Sequence, residues 1–157
     1  MGRGVPTSSQ LLFTVRVEPQ SDKVNPPDAK VLGILDPKLQ GKTLRRYDLQ
    51  YSLPGRQVTF NDASDGTHKG SLQFDIATYD VYGKLITSLS QSIDLSLTPD
   101  RYQTLQQKPF QLLQGIDLPL GEIFLRVGIL DGVSDKTGTI EIPLTVTRNA
   151  NSPTREE

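Results

Sequence analysis

The stretch that decides the fold is Leu85 to Leu97, LITSLSQSIDLSL. Its odd positions are Leu85, Thr87, Leu89, Gln91, Ile93, Leu95 and Leu97, and its even positions are Ile86, Ser88, Ser90, Ser92, Asp94 and Ser96. Five of seven residues are apolar in the first set and one of six in the second. Successive side chains of an extended chain point to opposite sides, so this is a strand with one face in a core and one in water. At about 3.3 Å per residue the run would reach about 43 Å if straight, longer than a small sandwich is deep. A bend, a bulge or a change of sheet is expected within it.

The same alternation extends to both sides of that run. It appears in Leu11 to Val17, Tyr47 to Leu53, Val58 to Phe60 and Leu72 to Ile76. It returns in Phe110 to Leu118, Ile123 to Ile129 and Ile140 to Val146, making about eight strands. Ile76 and Phe74 share a parity that Tyr79 and Val81 do not, which predicts a bulge near Ala77 and Thr78 or a strand covered on both faces. The separators have physical reasons. Asn61 to Gly66 and Asp80 to Gly83 combine side chains that bond their own backbone with a glycine free to take positive φ. Pro54 and Pro119 interrupt ladders because proline has no N–H to donate.

One helix is expected, at 99–107: Thr98 offers a capping hydroxyl, Pro99 suits the first helical position, Asp100 follows in the first turn, and Pro109 lies just beyond the end. Gln20 to Lys42, with Pro26, Pro27 and Pro37, reads as a long connection in which Val31 to Leu35 forms at most a short edge strand. Many short alternating strands with such turns predict an all-β fold, a two-sheet antiparallel sandwich of immunoglobulin-like Greek-key type. A closed barrel is the alternative. The domain is expected to span 10–147, with disordered segments at 1–9 and 148–157.

Composition narrows the chemistry. The 157 residues carry 17 Lys and Arg against 18 Asp and Glu, one His and no Cys. Without thiols there is no disulfide, no Cys-ligated metal and no cysteine nucleophile. A net charge of −1 is not the basic footprint of a nucleic-acid surface. Nothing approaches the length of a membrane-spanning apolar helix. His68 has no nucleophile elbow or triad pattern around it, so it reads as a solvated loop residue, and no enzyme is expected. Asp131 and Asp135, in one hairpin, are the candidate metal ligands, for calcium, the one cofactor the residues suggest. Asp62 and Asp65 form a second acidic loop, and both loops also have the composition of tight turns.

Two further residues stand out by phase. Tyr47 and Tyr51 share a face with Leu49 and Leu53 and should point inward with hydroxyls at the rim. Phe124 falls out of phase with Ile123, Leu125 and Val127, on the side of Arg126, whose expected partner is Glu141 across the hairpin. An outward Phe predicts a contact surface, and Phe124, Arg126 and Tyr79 are its candidate residues.

Residues 118–131, LPLGEIFLRVGILD, followed by 138–144, GTIEIPL, and preceded by 71–84, SLQFDIATYDVYGK, resemble the C-terminal β-sandwich domain of acidobacterial VWFA-related proteins. The resemblance runs from about Gln10 to Thr147. It implies a non-catalytic structural or interaction module of a bacterial surface or envelope protein, extracytoplasmic, whose partners are other domains of the parent or another protein. A carbohydrate- or calcium-binding module acting through the acidic loops is the alternative. No D-x-S-x-S adhesion motif occurs in the chain, so the metal site of an upstream A domain does not transfer. The opening MGRGVPTSSQ lacks the apolar run of a signal peptide, so an exported parent would make this chain a fragment.

Overall fold

The computed structural model describes residues 10–148. The expectation of disorder at 1–9 falls outside them, as does nearly all of that at 148–157. Nine strands and one α-helix follow in order: β1 (Thr14–Pro19), β2 (Ile34–Leu35), β3 (Leu44–Pro54), β4 (Asn61–Asp62), β5 (His68–Tyr79), β6 (Leu85–Leu97), α1 (Pro99–Gln107), β7 (Pro109–Pro119), β8 (Gly121–Asp131) and β9 (Thr137–Val146). They form two antiparallel sheets, β1-β3-β7 and β2-β6-β5-β8-β9, with β4 pairing to the start of β5. The chain is therefore the all-β sandwich that the alternation predicts, with the helix where Thr98 and Pro99 place it. The Thr98 hydroxyl accepts the Arg101 N–H at 3.3 Å, closing the first turn.

The core lies between the inward rows of the sheets. Leu49, Tyr51 and Leu53 of β3 face Leu72, Phe74 and Ile76 of β5, all buried. Each such side chain contributes about 1.5–3 kcal/mol by leaving water. Tyr51 and Phe74 meet with ring centroids 5.0 Å apart. Tyr51 is inward as expected, but its hydroxyl is not at the rim: it donates to Gln114 Oε1 at 2.8 Å inside the core. Burial, aided by the Asp75 charge, raises the pKa of that phenol well above its ordinary value.

Three expectations need correction. Val58 to Phe60 is not a strand. Gly55–Gln57 makes a 3-10 turn, Val58 leaves it buried, and the Thr59 N–H goes to the Asp131 carboxylate rather than to a ladder. The phase slip at Tyr79 is not a bulge in β5. That strand keeps its alternation through buried Thr78, and the irregularity between Thr78 and Tyr79 comes from β6, where Ile86 is the extra residue between Thr87 and Leu85. The bulge puts Ile86 and Thr87 both inside, and beyond it the odd residues Leu89, Ile93 and Leu95 turn toward the core. His68 opens β5 rather than sitting in a loop.

The connections cross between the sheets. The excursion from β1 to β3 lends β2 to the larger sheet and returns, and α1 carries the chain from β6 to β7. Gly55 lets α1 approach, because a Cβ there would run into the Leu105 backbone. The excursion is anchored by Asp117 of β7. Its carboxylate takes the Arg46 guanidinium in a two-point pair at 2.8 and 3.0 Å and the Leu32 N–H at 2.7 Å. Burial alone would raise the Asp117 pKa, but the Arg46 and Leu32 hydrogen bonds outweigh it and hold the carboxyl below its ordinary value. At the same end, buried Arg45 donates to the carbonyls of Ser21 and Thr147, clamping the exits of β1 and β9.

The Asp117 pair has a signed pH consequence. In the unfolded chain its carboxyl protonates near pH 4, whereas in the folded chain it resists to lower pH, so its contribution is present above about pH 4 and lost as the pH falls. Asp117→Asn is expected to lower stability at neutral pH by about 2 kcal/mol, a figure reduced for the partial exposure of Arg46, and to flatten the loss as the pH falls below about 4. Urea unfolding at stepped pH checks this, and an unchanged acid profile contradicts it.

Candidate functional site

Register assembles the surface on which Phe124 stands. Tyr79 of β5 pairs with Phe124 of β8 on one side and with Leu85 of β6 on the other, and Phe124 pairs in turn with Pro143 of β9. Directly opposed residues of antiparallel strands share a face. Leu85, Tyr79, Phe124 and Pro143 therefore form one row across four strands on the outer side of the larger sheet. Phe124 and Leu85 are each 47% exposed. The hairpin between β5 and β6 adds Val81 and Tyr82, the latter 90% exposed. Its shape is fixed by Asp80, whose carboxylate accepts the N–H groups of Tyr82 and Lys84 at 2.9 Å each, and by Gly83 at φ 82°.

The neighbouring row is polar. Arg126 pairs with Ala77 and with Glu141, and its guanidinium meets the Glu141 carboxylate at 2.8 and 3.0 Å in an exposed pair. Farther along, the same face carries Asp75, Ser88 and Ser90, with the Ser90 hydroxyl donating to Asp75. The three residues singled out by sequence phase, Tyr79, Phe124 and Arg126, thus stand together. Sequence reasoning missed Leu85 and Pro143, which join the row only through register. Ile34, 75% exposed on β2, stands opposite Ser88 at the end of the row that holds Ala77 and Arg126.

The acidic loops are engaged in their own turns. Asp131 is fully buried. One carboxylate oxygen accepts the N–H groups of Val133 and Ser134 at 2.9 and 3.2 Å, and the other accepts that of Thr59 at 2.8 Å. It is a peg joining the β8–β9 hairpin to the segment after β3. Asp135 is exposed at φ 64°, its N–H on the Asp131 carbonyl at 2.8 Å. Asp65 takes the Thr67 N–H and hydroxyl, and these bonds lower its carboxyl pKa. Among the described residues no group of three or more His, Asp or Glu is placed to hold a metal ion.

His68 has a defined setting instead of a solvated one. Its imidazole stacks on Tyr102 of α1 with centroids 3.9 Å apart and planes at 18°. Its Nδ1 lies 2.8 Å from the Asp62 carboxylate. Phe60 meets the same Tyr102 edge-on at 5.4 Å, so the histidine helps dock the helix. Among the described residues, no helix is long and apolar enough to cross a membrane.

No family model and no curated protein matches the sequence. Among solved structures, the putative ApaA protein from Bordetella pertussis is 14% identical, with 89% of this chain and 98% of that one covered at a TM-score of 0.41. The structural-genomics target SoR45 is 10% identical, covering 98% and 96% at a TM-score of 0.46. At these values the likeness carries no argument for function.

The peg geometry of Asp131 yields a test. Asp131→Ala strands three backbone N–H groups and is expected to cost about 3 kcal/mol in urea unfolding. The wild-type melting midpoint should be the same in millimolar calcium and in chelator. A midpoint that rises with calcium would instead reveal binding to the folded state.

Proposed function

We propose that this chain is a non-catalytic β-sandwich module that binds another protein surface through the outer face of its larger sheet. The observation that carries this reading is the apolar row Leu85–Tyr79–Phe124–Pro143, set beside the exposed Val81 and Tyr82 on an otherwise polar face. A sandwich gains nothing in its own core from outward Phe and Leu side chains, and a contiguous apolar patch with a polar margin is the composition of an interface centre. The groups most suited to chemistry support the reading from the other side: Asp131, Asp65 and His68 all have structural partners. The sequence resemblance suggests the setting, a terminal module of an exported bacterial protein whose row docks on a neighbouring domain or on a second protein.

The test places a photo-crosslinking phenylalanine analogue at position 124 in the parent protein in its native cells. A control analogue goes at Arg16, exposed on β1 of the smaller sheet. Adducts specific to position 124 are expected, and a yield no higher than at position 16 overturns the reading. Phe124→Ser should cost the isolated chain no more than about 1 kcal/mol, the scale of a cross-strand pair.

A further inference from the structure

Apart from the two-residue strands β2 and β4, the two sheets leave four strands with an open side, and three of them are protected. β1 is six residues long and ends in Pro19. β7 begins and ends with Pro109 and Pro119. β9 carries Pro143 within it. Prolines and short lengths are how soluble sheets keep an edge from recruiting another strand. β6 has no such device. Its 13 residues contain no proline and no lysine, and its only charge is Asp94. β2 covers it only at Thr87 and Ser88, and its bulge at Ile86 lies before the open part. Among the described residues no strand pairs with the far side of Leu89 to Leu97.

The hydrogen-bonding phase of that open stretch is fixed by its neighbours. The Thr87 N–H points to β5, where it meets the Thr78 hydroxyl, and the Ile86 carbonyl points the other way, to the Asp36 N–H. Along an antiparallel strand these directions alternate. The free N–H and C=O groups on the open side are therefore those of Ser90, Ser92, Asp94 and Ser96. The inward side chains along it are Leu89, Gln91, Ile93 and Leu95. The three apolar ones pack on the core but are only partly covered, because the sandwich ends there, and the Gln91 side-chain carbonyl accepts the Gln114 amide at 3.3 Å.

We infer that a second copy of this chain occupies this edge, the two β6 strands pairing antiparallel about a two-fold axis at Ile93. In that register Ser90 faces the counterpart of Ser96, Ser92 faces that of Asp94, and Ile93 faces itself. All four residues with free groups are then matched, for about eight backbone hydrogen bonds. Neighbouring registers fail. An axis at Asp94 sets two carboxylates against each other, and an axis at Ser92 leaves Ser96 facing Ser88, which already pairs with β2. The stretch is bounded to fit: β2 closes one end at Ser88, and Pro99 turns the chain into α1 at the other. The outer side of the seam is serine with a single Asp per copy, and the inner side centres on Ile93 against Ile93, with Leu89 against Leu97 and Leu95 against Gln91, whose side-chain carbonyl is already bonded to Gln114. Such a contact is isologous and closed, the usual geometry of a homodimer, and its pairing is that of strand addition.

This inference does not rest on the Phe124 row, and the experiment separates the two. Sedimentation at about 100 µM should show wild type and Phe124→Ser as dimers, since either dimer reaches that state by mass action. Ser92→Pro removes a donor that points away from β5 and places a ring in the seam, so it should weaken dimerisation by about a hundredfold or more with the far-UV spectrum unchanged. Ile93→Cys supplies a second readout independent of how Ser92→Pro folds. The chain has no native cysteine, and a facing pair lies within disulfide reach, so mild oxidation should give a covalent dimer, while Ser92→Cys and Asp94→Cys should not. A monomeric wild type, a dimeric Ser92→Pro, loss of the dimer in Phe124→Ser, or failure of Ile93→Cys to cross-link overturns the inference.

Discussion

The contact on which the rest of the molecule depends is the one between the inward faces of β3 and β5. Each is the strand from which its sheet is built outward: β1 and β7 pair to β3, and β6, β8 and β4 pair to β5. Tyr51 against Phe74, with Leu49, Leu53, Leu72 and Ile76 around them, sets the two central strands face to face. Because side chains alternate with a period of two, fixing which residues of β5 face inward fixes the face of every residue opposed to it. The orientation of Phe124 on β8 and of Ser90 on β6 follows from Leu72, Phe74 and Ile76 on the strand between them.

That dependence explains what could be read in the sequence. The alternation in Leu85 to Leu97 reports a local property, so strand identity, the inward face beyond Leu89 and the need for an irregularity were all legible. The irregularity's position was not. Ile86 and Thr87 are both buried because a bulge turns two successive residues inward, and in the sequence this looks like the ordinary end of a pattern. Val58 to Phe60 failed for the opposite reason. Two apolar residues two positions apart are too few to distinguish a strand from a packed loop, and what decided the matter was the carboxylate of Asp131, 72 residues away from Thr59.

The candidate site was legible to the same degree. Phe124 declares itself by parity alone. Leu85 and Pro143 do not, since joining Tyr79 and Phe124 in a row is a matter of register across four strands. The acidic loops show the limit most plainly. Asp131-Gly132-Val133 has the composition a cation loop or a turn would have, and only the three amide hydrogen bonds on its carboxylate distinguish a peg from a ligand. His68 and Tyr102 stack across 34 residues of sequence that hold no hint of it.

The outer face and the open edge of the larger sheet differ in what they ask of a partner. Side chains dominate on the Phe124 row, where a complementary surface must supply apolar area and match the Arg126–Glu141 pair at its margin; affinity there comes from desolvating a few large groups. Along β6 the backbone dominates. Serine at every outward position between residues 88 and 96, interrupted only by Asp94, offers little apolar area, and what remains is a regular ladder of donors and acceptors. A ladder is satisfied by any strand of the right phase, so selectivity has to come from the inward residues and from the one charge. Ile93 at the centre and Asp94 beside it place both of those constraints at the same point, which is why a self-paired strand has one register that satisfies them together.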